Sequence, residues 1–294
     1  MNKQFIVSCE STVDFPYNEV QARDIPVMFY RYMLDGVEYE DDMKRAENGT
    51  QLFFEKLAKG GQPTTSQLNE FEYTEFLEEQ LKKGDVLHIT LSSALTKSFD
   101  NAKRAEAALR EKYPERKLYV YDSLSGCFGY WMLTEHVADM RDAGAGIDEA
   151  VKWLDENRLK VGHQFFATKL EFFRRSGRVS GPASMLATML NIIPIMHLDA
   201  KGAIIAYAKV RGKKAASEKT VKEILESIKD GVNYNDRIII GHTDCMDMAK
   251  QTEEALKAVF AKAKTCILDI GNIIASHCGP GTIAVFFMGE KERV

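Results

Sequence analysis

No stretch of this 294-residue chain is apolar for long enough to span a bilayer. The longest runs, such as Ile283 to Met288 and Ile238 to Ile240, fall far short of the ~20 residues required. The opening Met1-Asn2-Lys3-Gln4-Phe5-Ile6-Val7 lacks the longer apolar block and small-residue cleavage site of a signal peptide. Cysteine is sparse: Cys9, Cys127, Cys245, Cys266 and Cys278 are odd in number, scattered, and form no CxxC pair. Neither a disulfide framework nor a structural zinc site is indicated, and a reducing cytoplasm fits best. A large excess of either charge is missing too. The 39 Lys and Arg against 43 Asp and Glu leave a net charge of −4, which argues against binding nucleic-acid phosphates. Also absent are GxxxxGK[ST], GxGxxG after a strand, GxSxG and HExxH. Phosphoryl-transfer machinery, dinucleotide binding, a serine-hydrolase elbow and a zinc-protease site therefore lack their usual signals.

What is present is a folded globular composition, 45% hydrophobic and 28% charged. Short apolar runs alternate with longer amphipathic segments. Candidate strands are Gln4–Ser8, Ile25–Met33, Val86–Leu91, Leu118–Tyr121, Gln164–Thr168, Ile192–Leu198, Ala203–Val210, Arg237–Gly241, Cys266–Ile270 and Ile283–Met288. Between several of them lie helical periods. Val221, Ile224, Leu225 and Ile228 recur at i, i+3, i+4, i+7 within Lys213–Asp230. Met248–Lys262, Asn69–Lys83, Lys97–Tyr113 and Ile147–Lys160 also read as helices. Strands alternating with helices predict an α/β fold with a mostly parallel sheet. The length predicts two lobes. We place their boundary near Arg158–Gly162, giving an N-terminal α/β lobe over residues 1–160 and a smaller α/β lobe over 161–294.

In open α/β sheets, ligands collect beyond the carboxyl ends of the strands. The loops expected there share a composition. They read Ser8-Cys9-Glu10-Ser11-Thr12, Thr90-Leu91-Ser92-Ser93-Ala94-Leu95-Thr96 and Asp122-Ser123-Leu124-Ser125-Gly126, with a free-standing Gln62-Pro63-Thr64-Thr65-Ser66-Gln67. Hydroxyls and backbone N–H groups at helix starts suit an anion; they also cap helices everywhere. His277 follows a strand-like run and precedes Gly279-Pro280-Gly281, so its ring is expected on a rigid turn, donating to an anion, acting as a base or bonding a carbonyl. His88 reads as a core residue. Arg174, Arg175 and Arg178 beside Phe172 and Phe173 suit a phosphate-bearing ligand, an acidic surface or a salt-bridged loop. The residues alone reach an α/β protein with a hydroxyl-rich, anion-friendly cleft.

Short motifs in order along nearly the whole chain go further. Glu10-Ser11-Thr12-Val13-Asp14 resembles the DST(A/S)DL opening of the DegV family, the fatty-acid-binding proteins of Gram-positive bacteria. Thr65-Ser66-Gln67 is similar to that family's TSQP loop, Leu91 to Thr96 to its LSSGLSGTY loop, and Asp122-Ser123-Leu124-Ser125 to its DSxS segment. Ser176-Gly177-Arg178-Val179-Ser180 resembles GGRIS, Ile193-Pro194-Ile195 resembles KPI, and His277-Cys278-Gly279-Pro280-Gly281 resembles HTGPGA. The chain departs from the pattern at Glu10, at Leu68 after TSQ, at Thr96-Lys97 in the LSG triplet and at Cys278.

The resemblance implies a single unit over residues 4–290 that holds one long-chain fatty acid, about C14–C18, in a buried tunnel between the lobes. It places the carboxylate on Thr65, Thr96 and His277, with Ser66, Ser93, Ser125 and Arg178 as further site contacts. Arg211 matches a position linked to an ATP-dependent fatty acid kinase that phosphorylates the bound acid. It implies no catalytic residue, metal or cofactor in the carrier itself. Phe165, Phe166, Met185, Leu186, Met189, Ile192 and Ile195 are candidates for the tunnel wall. Two other readings stay open. One is a hydrolase or acyltransferase using Ser93 or Thr96 with His277; the other is a module for a different small anion, favoured by the arginines.

Overall fold

The computed structural model describes residues 4–180 and 191–294. The chain begins with β1 (Ile6–Glu10), α1 (Tyr17–Ala22), β2 (Val27–Met28) and a hairpin of β3 (Arg31–Leu34) and β4 (Val37–Glu40). Then come α2 (Gly49–Ala58), β5 (Thr64–Thr65), α3 (Glu70–Leu81), β6 (Val86–Thr90), α4 (Ser98–Lys112) and β7 (Leu118–Asp122). Helices α5 (Phe128–Asp142) and α6 (Ile147–Asn157) follow. The remainder comprises β8 (Val161–Ala167), α7 (Glu171–Ser176), β9 (Val179–Ser180), β10 (Ile192–Leu198), β11 (Ile204–Arg211) and α8 (Lys213–Ser227). Last are β12 (Arg237–His242), α9 (Met246–Val259), β13 (Lys264–Asp269), α10 (Asn272–Cys278) and β14 (Thr282–Met288).

The expected α/β architecture is what forms. Four strands in the order β2-β1-β6-β7 make a wholly parallel sheet. Side-chain alternation divides its faces. Val7, Cys9, Leu87 and Ile89 pack with Trp131 and Leu133 of α5. Val86, Leu118 and Val120 pack with Tyr73 and Leu77 of α3 and with Ala102 and Leu109 of α4. Helix α3 starts where Asn69 and Glu72 form a reciprocal capping box.

The second sheet is larger and mixed, in the order β13-β12-β14-β8-β10-β11-β9. Its β12–β13 and β11–β9 pairs are parallel and the other described pairs are antiparallel. One face carries Phe166, Ile195, Ile238, Ile240 and Val285 against α8 and α9. The other, with Phe165, Met196, Leu198, Ile239 and Phe286, turns toward α5 and the first sheet. A third sheet, β4-β3-β5, is antiparallel.

Three expectations need correction. Ile25–Met33 is not one strand: β2 pairs with β1, whereas β3 belongs to the small sheet, and Phe29 and Tyr30 turn the chain between them. The loop around Thr65 is not free-standing, because Thr64 and Thr65 pair with Met33 and Tyr32. The run before His277 is helical, so His277 sits in the last turn of α10 rather than on a turn after a strand. Among the described residues, no helix is long and apolar enough to cross a membrane.

Candidate ligand site between the sheets

The site starts with β5. Pairing with β3 fixes Thr65, and α10 packs across the same small sheet, its Ile273 and Ala275 buried with Tyr30, Tyr32 and Leu34. These two anchors bring together residues 212 positions apart: Thr65 Oγ1 lies 2.9 Å from His277 Nε2. Helix α10 stops at Gly279, whose φ of +67° is one that L side chains rarely adopt. A Cβ there would stand 2.2 Å from the Phe172 ring of α7. Glycine thus lets α7 close over the end of α10. Arg175 lies over the Phe172 ring, its guanidinium 4.7 Å from the ring centroid. Burial, assisted by the charges of Arg178 and Arg175, pushes the His277 imidazole down to about 4, so it is neutral at neutral pH.

Thr96 lies on the loop after β6. Its hydroxyl donates to Ser98 Oγ at 3.0 Å and accepts from the Ser98 amide at 3.1 Å. Ser98 Oγ in turn accepts the Leu68 amide at 3.1 Å, and the Asn101 side chain donates to the Leu68 carbonyl at 2.6 Å. Thr96 therefore joins the Thr65 segment through Ser98 and Leu68, not by a direct bond to Thr65. The hydroxyl of Tyr30, fully buried and without a hydrogen-bond partner, faces Thr96 and Ser98.

Behind this polar end lies an apolar cavity of about 70 Å³. Its walls include Leu95, Phe165, Phe173, Leu198, Ile274 and Phe286. Cys127 and Cys278 also reach it, and burial pushes the Cys278 thiol up to about 12, so it remains a thiol. The main polar intrusion is His163, whose Nδ1 lies 3.0 Å from the Val161 carbonyl and whose Nε2 faces the Gly126 amide at 3.4 Å. Burial holds this ring well below the usual histidine range, and both of its nitrogens are occupied. The polar and apolar parts adjoin along the chain: Cys278 follows His277, Leu95 precedes Thr96, and Phe173 follows Phe172.

The other sequence candidates are placed as follows. Arg178 is half-buried, near His277, and donates to the Ser176 carbonyl. Ser66 is exposed, its amide bonded to the Arg31 carbonyl at 3.1 Å. Ser93 is half-buried, its amide 3.2 Å from Asp122 Oδ1. Ser125 is fully buried with an unpartnered hydroxyl, and Arg211 is exposed at the end of β11. Among the described residues no hydrogen bond links these last four to the Thr65–His277 pair.

Phe165 lines the cavity as expected, but Phe166 and Ile195 do not: the two-residue period of β8 and β10 turns them to the α8–α9 side. Ile192 is half-buried at the start of β10. Met185, Leu186 and Met189 lie outside the described residues. Leu198 of β10 and Ala284 and Phe286 of β14 take the inward frame instead. No group of three or more His, Cys, Asp and Glu side chains placed to hold a metal occurs among the described residues.

Known proteins share this fold. A family model described as uncharacterised protein, DegV family, matches residues 4–290. A DegV domain-containing protein of Clostridium perfringens is 33% identical over 293 residues, covering 99% of each chain. Among solved structures, a DegV-family protein of Thermus thermophilus described by its fatty acid binding superposes with a TM-score of 0.85 at 24% identity, covering 97% of this chain and 99% of that one. One from Eubacterium eligens, loaded with heptadecanoic acid, gives 0.80 at 19% identity over 97% and 99%. These structural likenesses establish the fold, and the family match establishes the kinship. The chain belongs to the DegV family.

Proposed function

We propose that the protein binds one long-chain fatty acid, its carboxylate at Thr65, His277 and Thr96 and its tail between the sheets. The observation that carries this reading is the junction of a neutral hydroxyl–imidazole pair with an apolar cavity. A buried carboxylate needs hydrogen-bond donors. With His277 Nε2–H donating to Thr65 Oγ1, the Thr65 hydroxyl is free to donate to the ligand. Thr96 adds a second donor when it exchanges its bond to Ser98. The tail provides most of the affinity: about 14 buried methylenes at ~0.8 kcal/mol give a gross ~11 kcal/mol, opposed by several kcal/mol of ordering. The described walls enclose about 70 Å³, well below the ~300 Å³ where ligand pockets ordinarily begin. Tail binding therefore requires these walls to separate.

The reading is non-catalytic. An imidazole held near 4 is a weak base at neutral pH, and its hydroxyl neighbour is Thr65, not Ser93 or Thr96. The proposal extends to presentation of the bound acid to an ATP-dependent fatty acid kinase, with Arg211, exposed at the end of β11, at the contact. The test of the head group is Thr65→Val combined with Thr96→Val. Palmitate affinity is expected to fall by about 2–4 kcal/mol with the ligand-free melting temperature nearly unchanged. An unaltered dissociation constant removes both residues from the site.

A further inference from the structure

Glu10, at the carboxyl end of β1, lies fully buried under both loops of the head-group site. Its Oε2 accepts the amide of Leu91, the first residue of the loop that carries Thr96, at 2.9 Å. Its Oε1 accepts the hydroxyl of Tyr73, from α3, the helix that follows the Thr65 segment. The unpartnered Tyr30 hydroxyl stands between this carboxyl and the pair Thr96 and Ser98. Ser98 then clamps the Leu68 amide. One carboxyl group therefore touches the start of one loop and the helix after the other, and reaches the hydroxyl network joining them through a single tyrosine.

We propose that Glu10 is a positioning residue for the head-group site: it sets the two loops that carry Thr96 and Thr65, and its charge state governs how readily they accept an anion. The groups facing it are Tyr73, Tyr30, His88 (Nε2 at 4.0 Å), Asp122 and Tyr130, with the Cys9 thiol beside it on β1. None is a cation at neutral pH, because burial holds the His88 ring down near 3. An ionised Glu10 thus has no compensating charge, and a second carboxylate arriving at Thr96 meets its field through a dry, low-dielectric path. Protonated, Glu10 places a donor toward Tyr30, whose hydroxyl then turns to Thr96 and the ligand. Burial, partly offset by the hydrogen bonds from Tyr73 and Leu91, pushes this carboxyl up to about 7, so the change falls in the physiological range.

The inference rests on the fatty-acid reading, and one experiment separates the two. Palmitate dissociation constants are measured from pH 6 to pH 8 for the wild type and Glu10→Gln. The ratio of the two constants cancels the ligand's own ionisation. Wild-type affinity is expected to fall about tenfold relative to Glu10→Gln across this range, as expected for one favourable proton, with both proteins folded throughout by circular dichroism. Glu10→Asp, which keeps the charge but shortens the reach to Leu91, is expected to retain the pH dependence and bind more weakly at every pH. A ratio independent of pH overturns the proposal and leaves Glu10 a purely structural residue. Absence of palmitate binding by the wild type at any pH overturns the fatty-acid reading instead.

Discussion

Glu10 and His88, both fully buried, and the half-buried His277 show how burial sets charge in this protein. His88 bonds the Ser8 hydroxyl through Nδ1 at 2.9 Å, and its Nε2 is 4.0 Å from Glu10, but a ring held near 3 forms no ion pair there. His277 is neutral for the same reason and is half-buried at the edge of the cavity, where it can serve a ligand. Glu10 moves oppositely, from its ordinary 4.5 to about 7. Because its folded form binds the proton more tightly than the unfolded chain, the associated stability is fully present below about pH 4.5 and is lost as pH rises through about 7. Compared with Glu10→Gln, wild-type unfolding free energy is expected to drop by about 3 kcal/mol between pH 4.5 and 8. Urea melts across that range check it; parallel curves for the two proteins contradict the assigned direction.

At the scale of elements, helix α10 connects the sheets. It joins β13 to β14 of the larger sheet, yet buries Ile273 and Ala275 in the core of the smaller ones. Its C-terminal glycine, two residues after His277, lets the Phe172 ring pack against the end of the helix. Gly279→Ala places a methyl group into the Phe172 ring at a backbone angle unfavourable to alanine. It is expected to cost about 1–3 kcal/mol of stability and to weaken fatty-acid binding more than a remote change of equal cost. Calorimetric melting with parallel binding titrations tests this; normal affinity in the variant separates the cap from the site.

The sequence made such long amphipathic helices as α3, α4, α8 and α9 legible, because each has a clear polar face. It concealed α5, where ten of fifteen residues are buried, so that little periodic contrast remains. It also concealed β5 and the split between β2 and β3, since two-residue strands carry no period. His277 stood out as an imidazole at an element end, and Thr65 through the resemblance of Thr65-Ser66-Gln67 to the TSQP loop. Their partnership depends on β3 and α10 meeting across 212 positions, which local pattern cannot reveal. Phe166 and Ile195 failed as wall residues because only the sheet's pairing tells which face turns inward.

On the scale of the whole molecule, the parallel sheet and the mixed sheet turn apolar faces toward one another, with α5 and α10 between. A cavity at such a junction can widen by small shifts of packed elements without disturbing either sheet's hydrogen bonds. Leu95 and Phe173 line the cavity beside Thr96 and Phe172 in the chain, so the proposed reading puts the carboxyl end of a ligand at the loops. Native mass spectrometry of the protein purified from a bacterial host tests whether it carries a fatty acid. One added mass is expected, matching a fatty acid of about 14–18 carbons, worth ~0.8 kcal/mol per buried methylene and lost on denaturation. A ligand-free mass that stays unchanged after incubation with palmitate would contradict it.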